Sequence, residues 1–188
     1  FMVQSGLVND ITVSHYRLSI HLATAIIIIS SIYWLIMNTN SRKNIIFFKF
    51  SNKNLPFQIL ILLILFQIIM GAFVSGLDAG KIYQTWPLMG ANYLPNDYSF
   101  VNFQSLFELN NHSLVQFYHR NLAYLIIVYV IFLTAFIYKK KMQKLYFSLK
   151  ILLAFLSFQV ILGIFTLITG LNIYLASAHQ ITSVFLVL

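Results

Sequence analysis

Cysteine is absent from the 188 residues, which excludes disulfides, thiolate metal centres and cysteine nucleophiles from this chain. Charge is scarce as well: Asp, Glu, Lys and Arg make up 9% of the residues, against about a quarter in ordinary soluble domains. Four residues are acidic and none lies within an apolar run, which argues against a transporter that passes protons along buried carboxylates. There is no HExxH, no phosphate-binding Walker loop and no dinucleotide-binding glycine pattern. A Glu-x-x-His set of the kind that holds two irons in a helical bundle is missing too.

What the chain has instead is apolar surface. Hydrophobic residues are 60% of the total and the mean hydropathy is +0.82. Several windows reach the roughly 20 apolar residues that cross a bilayer. The fold class expected is therefore all-α, a polytopic transmembrane helical bundle with the lipid bilayer as its solvent. The net charge of +8 does not point to nucleic acid, because the positive residues sit in short loops between apolar runs, where they read as topology signals.

Five helical segments are expected, at about 13–37, 55–75, 113–138 and 145–170, with a fifth from about 174 onward. The fifth is about 15 residues long, too short to span. The chain starts at Phe1 with no signal-peptide pattern. Both features lead to the expectation of a piece of a larger protein whose last helix is cut. Arg42, Lys43, Lys49 and Lys53 follow the first segment, and Lys139, Lys140, Lys141 and Lys144 follow the third. The connection 76–112 carries Lys81 with Asp78, Asp97 and Glu108. The positive-inside rule then places the two basic loops on the cytoplasmic or matrix side and loop 76–112 outside. That loop includes GLDAGKIYQTWPLMGANYLPNDYSF, too aromatic for a plain linker. It reads either as a cap over a site in the membrane or as an interfacial loop anchored by Tyr83, Trp86 and Tyr93.

An internal echo links FQIIMGAF at 66–73 with FQVILGIF at 158–165, as FQ-x-I-x-G-x-F, and Gly71 with Ser75 gives a spacing suited to close helix approach. A shorter echo pairs SIHLATA at 19–25 with SAHQITS at 177–183, as expected of a duplicated membrane protein. Among five histidines, His119 lies about six residues, roughly 9 Å, below the outer boundary and His179 about five, roughly 7–8 Å. His21 enters to a comparable level. Two neutral imidazoles at one depth on neighbouring helices can supply both axial ligands of a haem iron. A histidine near a helix end can equally be a hydrogen-bonded or interfacial residue. Arg120, Arg17 and Lys81 are candidate partners for porphyrin propionates, and both arginines can otherwise snorkel to the interface. Gln116, one turn before His119, can touch a ligand or bridge helices. His15 and His112 fall at the boundary, where solvated histidines are ordinary.

The motifs SGLVNDITVSHYRLSIHLA at 5–23, GAFVSGLDAGKIYQTWPLMG at 71–90, LVQFYHRNLAY at 114–124 and QVILGIFTLITGLNIYLASAHQ at 159–180 together resemble the haem A synthase family. The likeness runs over essentially the whole chain and is closer to the proteobacterial and mitochondrial branch, whose outer loop lacks a cysteine pair. It implies an eight-helix, pseudo-symmetric protein of two four-helix halves. Residues 1–54 would close the N-terminal half with one helix and an inner loop, and 55–188 would form the truncated C-terminal half. His119 and His179 then match a histidine pair for a b-type haem, and His21 one ligand of the other pair. The implied activity is oxidation of one methyl of haem O to the formyl of haem A, by successive hydroxylations and loss of water. An acidic residue implicated in the family has no counterpart here, the position one turn before His119 being Gln116. The piece alone is therefore expected to be inactive. Haem O, the enzyme supplying it and an electron donor are the implied partners, and a homo-oligomer stays open. The membrane would be a bacterial plasma membrane or a mitochondrial inner membrane. The alternative is a bis-histidine b-type cytochrome that only transfers electrons, for which the TWPLM loop has no evident use.

Overall fold

A computed structural model of the chain describes residues 14–39, 51, 54–97 and 103–187. Five α-helices follow one another: α1 His15–Thr39, α2 Leu55–Gly76, α3 His112–Lys139, α4 Tyr146–Ile168 and α5 Ile173–Val187. Among the described residues there is no strand, only an isolated bridge between Met89 and Asn92. Four helical stretches, at His15–Thr39, Leu55–Gly76, His112–Lys139 and Gln143–Ile168, are long and apolar enough to cross a membrane, and α5 is shorter. The basic segment after the first helix lies outside the described residues except at its edges.

Local signals account for the boundaries. Pro56 opens α2, where its missing N–H is an orphan in any case. Asn111 caps α3, its side chain accepting from Leu114 N at 2.9 Å. Gly170 and Leu171, at φ of 74° and 63°, turn the chain between α4 and α5. Asn172 then accepts from Tyr174 N at 3.0 Å to start α5.

α1 packs on α2, α2 on α3, and α4 on α5. Leu60, Ile64 and Ile68 of α2 recur every fourth residue and meet Ile126, Val130, Leu133 and Ile137 of α3 with Ile26 and Leu149 in one core. Most other apolar side chains point outward, including Ile27, Ile28, Ile61, Leu62, Val128 and Ile131. In water each would cost about 1 kcal/mol or more to leave exposed; against lipid tails that penalty vanishes. An integral membrane protein follows from this surface.

Successive helices run in alternate directions, so α1, α3 and α5 begin at the end where α2 and α4 finish. Contacts confirm it: a Cβ on Gly80, just after α2, would stand 2.8 Å from Leu171 between α4 and α5. Counted from that end, His119 is the eighth residue of α3, His179 the seventh of α5 and His21 the seventh of α1. At about 1.5 Å per residue they lie at one level, roughly 9–11 Å down.

Candidate functional site

His119 and His179 rest in two seats of the same design. In the first, a Cβ added to Gly71 of α2 would come within 3.2 Å of the His119 Cε1. Gln67, one turn earlier, donates from Nε2 to the His119 main-chain oxygen at 3.2 Å. In the second, a Cβ added to Gly163 of α4 would come within 3.0 Å of the His179 Cε1. Gln159, again one turn earlier, donates from Nε2 to the His179 main-chain oxygen at 2.6 Å. The echoed FQ-x-I-x-G-x-F is thus a seat for an imidazole, used twice. Gly71 does serve close approach, yet what approaches is the His119 ring, and Ser75 is exposed.

The seats differ in how they hold the ring. His179 Nδ1 lies 3.1 Å from the Gln159 main-chain oxygen, which can only accept, so the proton sits on Nδ1 and the Nε2 lone pair is free. Thr182 donates to Gln159 Oε1, completing that amide. Around His119 the Gln67 Nε2 lies 3.2 Å from Nδ1 and 3.4 Å from Nε2, and Gln67 Oε1 is buried with no partner.

Residues 77–97 fold back onto the start of α3. The Arg120 guanidinium donates to Tyr83 O and Thr85 O at 2.8 Å each and to Leu88 O at 3.2 Å, while its Nε is buried without a partner. Gln116 donates to Tyr83 O at 2.9 Å, leaving its own Oε1 buried and unpaired. Within the TWPLMG turn, Thr85 Oγ1 donates to Leu88 O and accepts from Gly90 N, both at 2.8 Å. Met89 tucks inside, and the Trp86–Pro87 bond is cis. Asp97 accepts from Tyr83 and Ser113, and Tyr93 donates to Asn121. Partial burial acts to raise the Asp97 pKa, but these two hydrogen bonds outweigh it and hold the carboxyl below its ordinary value. Burial, and then donation to Asp97, pushes the Tyr83 phenol up. Trp86 stays exposed, as an interfacial aromatic would, whereas Tyr83 is half-buried and structural.

The remaining sequence candidates are spread out. His21 is exposed on α1 and Arg17 half-buried one turn before it. Lys81 forms an exposed ion pair with Asp78 at 2.9 Å. His112 is exposed, but His15 packs against Tyr16 and edge-on to Phe73 rather than standing in solvent. Gln67, Gln159 and Gly163 were not singled out as site residues by sequence reasoning. Their signal was the repeat itself, a Gln four residues before a Gly in both apolar helices.

Among the described residues no three or more His, Cys, Asp or Glu gather to cage a metal ion. Two imidazoles suffice when a porphyrin already supplies four nitrogens. The glycines leave room at the rings, and the unpaired Gln67 Oε1, Gln116 Oε1, Arg120 Nε and Tyr124 hydroxyl give an apolar site a few polar atoms. The donor set fits a haem.

Comparison with known proteins decides the lineage. The family model described as COX15-CtaA, cytochrome oxidase assembly protein, matches residues 1–188. The chain belongs to the COX15-CtaA family. It is 44% identical to a heme A synthase of Pelagibacter ubique (strain HTCC1062) over 98% of this chain and 53% of that protein. It is 40% identical to a heme A synthase of Wolbachia pipientis wMel over 97% of this chain and 51% of that one. A heme A synthase of Rickettsia felis is 35% identical over 99% of the chain and 56% of its own length. The chain therefore spans about half the length of the curated relatives it matches.

Proposed function

We propose that this chain provides the C-terminal half, and the last helix of the N-terminal half, of a haem A synthase, an oxidoreductase that converts a methyl of haem O to the formyl of haem A. Residues 55–188 form the former and 1–54 the latter. His119 and His179 would hold a b-type haem, and His21 would hold a second haem together with a partner elsewhere in the full-length protein. The observation that carries this reading is the pair of equivalent histidine seats at one depth, within a chain whose relatives are named heme A synthase.

The bound haem would supply one-electron transfer. The chain's own residues do the rest. Gly71 and Gly163 admit the rings, Gln67 and Gln159 tie the backbone of each histidine to the neighbouring helix, and the apolar helices exclude water. Arg120 and Gln116 hold the 83–88 segment over the mouth of α3, and the Arg120 Nε remains as a donor for a propionate. Arg17 would take a similar role near His21. Haem O enters from the lipid, passed on by the enzyme that makes it, and an external donor supplies electrons. The monooxygenase-like hydroxylation needs the other half of the protein, so this chain alone is inactive. The membrane is a bacterial plasma membrane or the mitochondrial inner membrane with loop 76–112 outside, in keeping with the basic run 139–144 at the far end of α3.

The test uses the full-length protein expressed with a haem O source, with extracted haems weighed by mass spectrometry. Haem A should accumulate, and His119→Ala or His179→Ala should each abolish the low-spin spectrum. A normal spectrum with no haem A would instead identify a bis-histidine electron carrier.

A further inference from the structure

The two seats carry a role of their own. Resting on the haem reading above, we infer that Gln159 with Gly163, and Gln67 with Gly71, are positioning residues that set the ring orientation of the two iron-ligating histidines, and that the α4 seat, the stricter of the two, also sets the tautomer of His179. Three observations support this. First, the same tetrad spacing recurs in two helices and faces a histidine both times, which a packing motif without a purpose for the ring would not require. Second, each glutamine donates to the main-chain oxygen of its histidine and not to a random neighbour, so the glutamine fixes the height of α3 on α2 and of α5 on α4 at the ring itself. Third, the Gln159 main-chain oxygen can accept only from a protonated Nδ1, which leaves Nε2 as the one nitrogen with a lone pair. The ring is confined further by Gly163, one turn along the same helix, where even one methyl would stand 3.0 Å from Cε1.

The angle between two axial imidazole planes and the strength of the Nδ1 hydrogen bond both act on the electronic structure of a low-spin iron, so spectroscopy reads the seats directly. The experiment compares Gln159→Met, Gly163→Ala, Gln67→Met and Gly71→Ala with His179→Ala in the full-length, haem-loaded protein. Electron paramagnetic resonance of the oxidised low-spin haem, its reduction midpoint and haem retained on dilution are measured. Gln159→Met and Gly163→Ala should keep a bis-histidine spectrum with a displaced highest g value and midpoint, and weaken haem retention roughly tenfold to hundredfold. The α2 variants should displace the same quantities less. Gln159→Met keeps volume and helix propensity, so it remains readable if Gly163→Ala does not fold. Loss of the low-spin signal in His179→Ala, with g values, midpoint and retention unchanged in all four seat variants, overturns the inference and leaves the haem reading intact. An unchanged signal in His179→Ala overturns both.

Discussion

The α2–α3 seat and the α4–α5 seat are built from the same eight-residue pattern, yet one is finished and the other is not. At His179 every polar atom of the glutamine is engaged: Nε2 by the histidine carbonyl and Oε1 by Thr182. At His119 the corresponding position to Thr182 is Leu122, and Gln67 Oε1 is buried unpaired. The first seat compensates from outside, with Arg120 and Gln116 stitching a long loop over it, whereas α4 and α5 are joined by a short turn. The repeated element therefore carries the same glycine and glutamine in both copies, while the partner of the glutamine's Oε1 differs with what lies around it.

Breaking the comparison most severely, Arg120→Ala should strip three hydrogen bonds from the loop carbonyls and leave Gln116 as their remaining tie near Tyr83. We expect a loss on the order of 2–4 kcal/mol, read as a lowered midpoint in detergent melts and as faster proteolysis within 77–97, with the His179 seat unaffected. Gly163→Ala should destabilise by about 1–3 kcal/mol through overpacking against the His179 ring, and Gly71→Ala by less, because its contact is 0.2 Å longer and its ring less tightly tied. Equal losses in the two would contradict a stricter second seat. Thr182→Val should cost about 1 kcal/mol and make the second seat resemble the first by leaving Gln159 Oε1 unpaired; the reverse change, Leu122→Thr, should recover part of that in the first. The smallest effect concerns pH. Asp97 has a lowered pKa in the folded loop, so its contribution is fully present above the unfolded value of about 4 and is lost as pH falls through the folded one. Trp86 fluorescence should therefore report loosening of the loop only in strong acid, and Asp97→Asn should remove that transition.

Helix positions were legible because lipid-facing helices need no amphipathic pattern, only length and apolarity, and each of the five runs met its helix to within a few residues. The common level of His119 and His179 was legible too, since rise per residue converts register into depth. The fate of Arg120 was not. Whether a cation reaches headgroups, propionates or carbonyls depends on where a loop of more than thirty residues folds back, and no local signal carries that. His15 shows the same limit: its ring packs on Phe73, a neighbour supplied by another helix. The glutamines were hidden for a different reason. An uncharged polar residue in an apolar helix has many uses, and only the facing backbone identifies which one it serves.

The contact between Gly80 and Leu171 has a consequence for how such chains vary. Leu171 occupies the space that a side chain at 80 would need, its Cδ2 only 2.8 Å from where a single methyl would stand. The two positions share one fixed volume, so their sizes should be inversely linked across natural and designed variants. Enlarging residue 80 requires Leu171 to turn aside or to be replaced by a smaller residue, and a survey of paired substitutions would reveal a bond between loop and turn that neither position discloses by itself.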